Sequence, residues 1–512
     1  MRLRPLAGLL AAAAIAVAGG AATAAAQVAG TSQLRIGLAE DPDVLDPTLA
    51  RTYVGRIVFA SLCDKLFDID EHLKIVPQLA LSQETSADGK AVTIKLRPGV
   101  KFHDGEPMDA DAVKFPLERH LAMPGSFRRP ELAALDTVEV VDPLTVRLLL
   151  KAPFSPLIAQ LTDRAGMMVS PKAARAAGDR FGQHPVCAGP YRFVERVQQD
   201  RIVVERFPEY WNKDAVAIGR ITYVPIADST VRLANLRAGQ LDVIERLLAT
   251  DIKTVRADPR LRLATVTELG YQGMTINLGH GEAAKGPLGA DPRVREALER
   301  AIDREALNQV VYNGEYVPGN QWVSPENPYY QGKFPIPARD VDRARRLLAQ
   351  AGVKPPVTVD FMVPNNPETQ QAAEVIQAMA AEAGFDLRIR VVEFATSLDE
   401  AEQGRYQAYM LNWSGRPDPD GNIYSFAKTG APQNYSAYSS PQVDAALDEA
   451  RAESGLAERR ATYERVAAGV LGDRPIIYLY HRRWLIAHTA KLEGVRLLPD
   501  GLVRVVGLRL KP

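Results

Sequence analysis

Apolar positions recur with a different period in the two halves of this chain. Between Ala91 and Leu96, after the turn signal Asp88-Gly89, apolar and polar residues alternate, and the segment then runs into helix-like spacing up to Arg119. Alternation returns from Leu135 to Leu150 and again in PYRFVERVQQDRIVVERF, ending at Phe207, which predicts two strands around a polar turn. The first half is therefore mixed α and β. Beyond Asp291 the period lengthens. Asp291 and Pro292 open a predicted helix over RVREALERAIDREAL, with proline at the first position, where its missing N–H costs nothing. Asp340 caps VDRARRLLAQA, and Gly352 stops it.

The most informative run follows. VTVDFMV (357–363) predicts a strand, PETQQAAEVIQAMAAEAG a helix, DLRIRVVEF a strand, TSLDEAEQGR a short helix and YQAYMLNW (406–413) a strand. A β-α-β-α-β order requires parallel strands with right-handed crossovers. Ligands of such sheets sit outside the carboxyl ends of the strands, and NWSGRPDPDGN (412–422) is the loop at that end. Ser440 and Pro441 then open a helix over QVDAALDEARAE, LAERRATYERVAAGVLG forms another, and PIIYLYHRRWLIA is predicted as a single closing strand.

The first residues change this picture. Arg2 and Arg4, an apolar stretch from Leu6 to Ala18 and the small residues Ala24, Ala25 and Ala26 have the order of a secretory signal peptide, predicted over 1–26 with cleavage before Gln27. Its apolar part is too short to span a membrane, and no cysteine follows it to carry a lipid. An exported, periplasmic chain follows. Without Arg2 and Arg4, 60 basic residues face 62 acidic ones, which excludes the basic footprint of a nucleic-acid binder. The two cysteines, Cys63 and Cys187, have no metal-site spacing; export allows them to pair, and two buried thiols are the alternative.

Catalytic patterns are scarce. There is no HExxH and no GxSxG, and the 7 histidines offer no i, i+3 or i, i+4 pair. His103 in KFHDGEP reads best as a solvated turn, and the glycine-rich stretches lack the ending of a phosphate cradle. No metal, no cofactor and no enzymatic activity are expected.

Taken in order, LDPTLA (45–50), PQLALSQETSADGKAVTIKLRPGVKFHDGEPMDADAVKF (77–115), AGPYRFV, EYWNKD, DSTVRLANLRAGQLD, DPRVREALERAIDREAL, DVDRARRLLAQAG and YSSPQVDAAL resemble the family 5 extracellular solute-binding proteins of bacterial ABC importers, whose members bind dipeptides, oligopeptides or nickel. The resemblance implies an α/β two-lobed clamshell with an extra β-rich subdomain in the first lobe. By likeness, the base lobe comprises 27–66, 188–279 and 488–512, the extra subdomain 67–187 and the second lobe 280–487, with hinge strands at 271–278 and near 482–488. It also places Cys63 and Cys187 at the junction of the base lobe and its subdomain, where they would be joined.

In the peptide-binding members, the loop after the strand equivalent to 406–413 carries a tryptophan and, three residues on, an aspartate for the peptide's amino group. Trp413 is in place here, but the third residue after it is Arg416. A cation argues against an ammonium at this point and for a carboxylate or phosphate, which a guanidinium fork matches. The alternatives are lobe packing for Trp413 and an internal pair with Asp418 or Asp420 for Arg416. Tyr53, Tyr271 and Trp322 are further candidates for the cleft wall, each with core packing as its alternative. The function implied is a monomeric periplasmic receptor that takes a peptide-like or other small carboxylated solute and delivers it to an ABC-type membrane permease. An exported hydrolase using cleft carboxylates, or a metal-complex or haem binder, is the alternative.

Overall fold

The computed structural model describes residues 32–511, so the expected signal peptide and its cleavage point lie outside the described residues. Among the described residues, no helix is long and apolar enough to cross a membrane.

The two lobes are each built on one sheet. The first has seven strands, in the order Leu261–Thr267, Arg483–Thr489, Val243–Ile244, Gln33–Leu38, Arg220–Pro225, Arg201–Arg206 and Tyr191–Val197. The second has six, in the order Val317–Pro318, Ile476–His481, Tyr271–Ile276, Ala408–Trp413, Val357–Pro364 and Phe385–Val392. Its last three strands are the expected β-α-β-α-β unit, with Val357–Pro364 parallel to both neighbours. Local chemistry accounts for the helix starts. Asp340 accepts from the N–H of Arg343, and Asn366, just before Pro367, accepts from that of Thr369. The predicted helix 293–307 is two helices, Pro292–Ala301 and Arg304–Tyr312, because Asp303 caps the second by accepting from the Ala306 N–H.

An antiparallel sheet of four strands, Ala80–Thr85, Ala91–Leu96, Thr145–Leu150 and Leu135–Asp142, forms the extra subdomain and covers its own core of Val92, Ile94, Val146 and Leu148. Cys63 and Cys187 are bonded across a sequence separation of 124 residues, closing the base of this insertion.

The chain passes between the two sheets twice. Leu261–Thr267 belongs to the first sheet and Tyr271–Ile276 to the second, so one crossing is Glu268–Gly270; the other is Arg482, between Ile476–His481 and Arg483–Thr489. The single closing strand expected at 475–487 is therefore two strands in different sheets. The lobe boundaries expected at 279 and 487 likewise move to these crossings. Tyr271–Ile276, Ile476–His481 and Arg483–Thr489 are buried on both faces, so their apolar pattern does not say which sheet they join. The crossings are tied together: the Glu268 N–H donates to the Arg482 carbonyl at 2.9 Å, the Arg482 N–H donates to Glu268 Oε1 at 2.9 Å, and His481 Nδ1 donates to the Gly270 carbonyl at 2.6 Å.

Candidate functional site

The strand Ala408–Trp413 delivers its loop directly onto the first crossing. Gly415 has φ +80°, and a side chain there would place Cβ 2.2 Å from the Leu269 carbonyl carbon, so only glycine lets the loop lie this close. Buried Asn422 holds the turn shut. Its Oδ1 accepts from Trp413 Nε1 at 2.9 Å and from the Arg416 N–H at 2.6 Å, and its Nδ2 donates to the Arg416 carbonyl at 3.0 Å. Trp413 packs edge-on against Phe426, and the Arg416 guanidinium carbon lies 4.6 Å from the Trp413 ring centroid.

The internal pair considered for Arg416 is absent. Asp418 accepts from Arg459 at 2.8 and 2.9 Å, and Asp420 accepts from Arg451 at 2.6 and 2.9 Å, so both acids of the turn are already engaged. Arg416 reaches instead across to the other lobe. Its Nε is 3.1 Å from Asp163 Oδ2 and its Nη2 is 4.0 Å from Glu131 Oε1, both in the extra subdomain. Arg56, on the base-lobe helix Tyr53–Leu62, donates from Nε to Asp163 Oδ1 at 3.1 Å; Arg164 lies 3.9 Å from the same oxygen. Arg128 donates to Glu131 Oε1 at 2.6 Å.

Four guanidinium groups therefore surround two carboxylates, and each of the four arginines is at most 4 % exposed. Four guanidiniums against two ion-paired carboxylates leave the cluster with surplus positive charge, offset in part by Asp500, which acts on Arg56. The Nε atoms of Arg128 and Arg164 are buried with no hydrogen-bond partner. Burial, partly offset by Asp163, lowers the Arg416 pKa to about 10; burial together with neighbouring Arg128 lowers that of Arg164 to about 10. Burial would raise Asp163, yet the surrounding arginines, Arg56 first, hold it well below the usual carboxylate range. A buried site with surplus cations favours an anion that brings its own charge.

The model of bacterial extracellular solute-binding proteins, family 5, matches residues 74–434. The chain belongs to this family. It is 31% identical over 470 residues to the glutathione-binding protein GsiB of Pectobacterium atrosepticum, covering 90% of each chain, and 30% identical over 468 residues to GsiB of Salmonella paratyphi A, covering 89% of this chain and 90% of that one. Among solved structures, PBP AgaA of A. tumefaciens R10 in complex with agropinic acid superposes with a TM-score of 0.84 at 26% identity, over 94% of this chain and 99% of that one. The dipeptide-binding protein of Pseudoalteromonas sp. SM9913 in complex with Met-Leu shares the fold, with a TM-score of 0.86 at 23% identity over 94% and 100% of the two chains. These relatives are binding proteins, not enzymes, and this member is a solute-binding protein of the ABC-importer type.

The residues singled out from the sequence divide in two. Trp413, Arg416 and Tyr53 surround the junction of the lobes. The Tyr53 ring stacks on Trp484 at 4.3 Å, its hydroxyl donates to the Gly501 carbonyl at 2.5 Å, and Arg246 lies over its ring at 5.2 Å. Tyr271 and Trp322, by contrast, are packed inside the second lobe against Tyr478, Phe426 and Tyr463, which corrects their expected position on the cleft wall. Aromatic residues in a conspicuous loop fill a core as readily as a binding surface. Arg56, Arg128, Glu131, Asp163, Arg164 and Asn422 escaped sequence reasoning. Only Asn422 stood within the loop already singled out; the others are scattered polar residues with no shared period.

Proposed function

We propose that the protein is a monomeric periplasmic receptor that closes its lobes on a small, peptide-like, carboxylated solute and delivers it to an ABC-type membrane permease. The observation that carries this reading is the buried group of Arg56, Arg128, Arg164 and Arg416, with Asp163 and Glu131 as its ion-pair partners. A solute carboxylate bound there supplies the missing charge in a place where water is excluded and charge-assisted hydrogen bonds are strong. Arg416 is the principal ligand contact, Trp413 stacks on it and fixes its direction, and Tyr53 forms part of the wall. The glutathione-binding relatives support the same class, because glutathione is a tripeptide derivative with two free carboxylates.

Closure follows from the contributors. Arg416 comes from the second lobe and its partners from the first, so a solute anion between them stabilises the closed form through its differential affinity. Calorimetric titration of the mature protein with glutathione, its dimethyl ester, acidic dipeptides and neutral dipeptides tests the reading, with small-angle scattering on each bound state. Selection for free carboxylates and a smaller radius of gyration are expected. Equal affinity for the ester and the free acid overturns it.

A further inference from the structure

We infer that the extra subdomain carries a latch for the second lobe. Its segment Phe154–Ser155 docks on the C-terminal end of the helix Pro441–Ala452 when the lobes are shut, is coupled to Arg416 through Asp420, and sets how fast solute enters and leaves. The inference rests on the proposed closure of the lobes and not on the identity of the solute.

A helix leaves its last four carbonyls without partners of its own. In Pro441–Ala452, the carbonyl of Ala450 is taken inside the second lobe, by Arg459 Nε at 3.0 Å. That of Arg451 is taken from across the cleft: the Ser155 N–H donates to it at 2.8 Å and Ser155 Oγ at 3.3 Å. Ser155 stands just before Pro156, and a residue before proline is held extended, which restricts where this N–H points. Buried Phe154 roots the segment in the core of the subdomain, and the Arg451 guanidinium carbon lies 5.1 Å from its ring centroid.

Arg451 also reaches the loop that carries Arg416. Its guanidinium donates to both oxygens of Asp420, at 2.6 and 2.9 Å, and lies 3.0 Å from the Tyr424 ring centroid. Asp420 begins the helix Asp420–Ala427, and the next residue, Gly421, is so close to Arg416 that an added Cβ would sit 2.6 Å from Arg416 Cγ. Arg416 in turn pairs with Asp163 and faces Glu131, both in the same subdomain as Ser155. The second lobe thus meets the subdomain at two points joined by one packed turn, and a rigid-body motion that parts one parts the other.

The seam is suited to parting. Beside it runs an open groove of about 560 Å³, lined by Phe154, Leu157 and Ile158 of the subdomain and by Ala452 and Ser454 at the end of the second-lobe helix. A close-packed interior has no such gap. One backbone hydrogen bond and one cation–π contact beside a groove have the strength of a transient interface, enough to shift an equilibrium about 10-fold and too little to lock it.

Hydrogen exchange on the solute-free mature chain tests the coupling. Pro153 and Pro156 carry no N–H, so the segment 152–156 reports on Ala152, Phe154 and Ser155 alone. Arg416→Asp sets a third carboxylate against Asp163 and Glu131 and should open the lobes. The Ser155 N–H should then exchange at least about 10-fold faster than in wild type, with the strand Thr145–Leu150 unchanged. Wild-type exchange at Ser155 in this variant overturns the latch; faster exchange in the strand as well means unfolding, and a cysteine pair then decides. Ser155→Cys with Ala452→Cys provides the only free thiols in a chain whose own cysteines are bonded. Joined by a short bismaleimide, the pair should slow glutathione binding and release at least about 10-fold, and unchanged rates overturn the latch. If glutathione does not bind the unlinked chain, the carboxylated-peptide reading fails and exchange at Ser155 alone decides the latch.

Discussion

Replacing Arg416 by methionine separates a ligand-binding arginine from a structural one. The side chain is fully enclosed, and burial is the main cause that lowers its pKa from the usual guanidinium range to about 10. That drop corresponds to roughly 3 kcal/mol against the charged form. Asp163 keeps charged partners when Arg416 is lost, because Arg56 remains 3.1 Å and Arg164 3.9 Å from its Oδ1, while Oδ2 alone loses its ion-pair partner. Removing one of four mutually repelling guanidiniums while keeping an apolar stem over Trp413 should therefore leave the stability of the solute-free protein within about 1 kcal/mol of wild type. Binding should respond very differently. A carboxylate that enters the closed cleft and finds one guanidinium missing is left partly unpaired, and such truncations cost about 2–5 kcal/mol. Arg416→Lys should recover part of this loss, since a point charge cannot reproduce the fork, and Arg416→Asp should abolish binding of the anionic solute. Urea unfolding of the free variants and calorimetric titration with glutathione or the co-purified solute provide both numbers. Wild-type affinity in Arg416→Met, together with a loss of about 3 kcal/mol or more in stability, would show that the arginine is a brace between lobes and refute the reasoning.

The disulfide closes a loop of 124 residues, worth about 4–5 kcal/mol in chain-entropy terms, so reduction should lower the unfolding free energy by about that amount, and thiol titration of the unfolded, unreduced chain should find no free cysteine. Trp322 is 1 % exposed in the second-lobe core, and Trp322→Ala should cost about 3–5 kcal/mol of stability while the folded fraction binds solute normally; an affinity loss at unchanged stability would return it to the cleft. For Glu268, raised from 4.5 to about 6 chiefly by burial, the folded state holds its proton more tightly than the unfolded state. Its cost is absent below about pH 4.5 and reaches about 2 kcal/mol above pH 6, so the stability of wild type relative to Glu268→Gln should fall by that amount between pH 4.5 and 7. Chemical denaturation of the pair at several pH values checks this, and a flat difference would contradict it.

Local chemistry settled much of the fold in advance. Alternation marked Ala91–Leu96 and the paired strands up to Arg206, and the caps at Asp340 and Ser440 marked helix starts. The β-α-β-α-β order required the parallel strands that occur at Val357–Pro364, because an antiparallel return would leave the connecting helices no face to cover. The same order located the loop 412–422. What lay beyond local reach was the split of 475–487 at Arg482, since both halves are buried strands and differ only in the sheet they join. Equally hidden were the partners of Arg416. An apolar period reports the face that a segment turns to its own core, whereas an ion pair depends on where distant segments stop in space. Arg56, Arg128, Asp163 and Arg164 come from a base-lobe helix and two short turns of the inserted subdomain, and only the closing of two lobes over that subdomain brings them to one guanidinium.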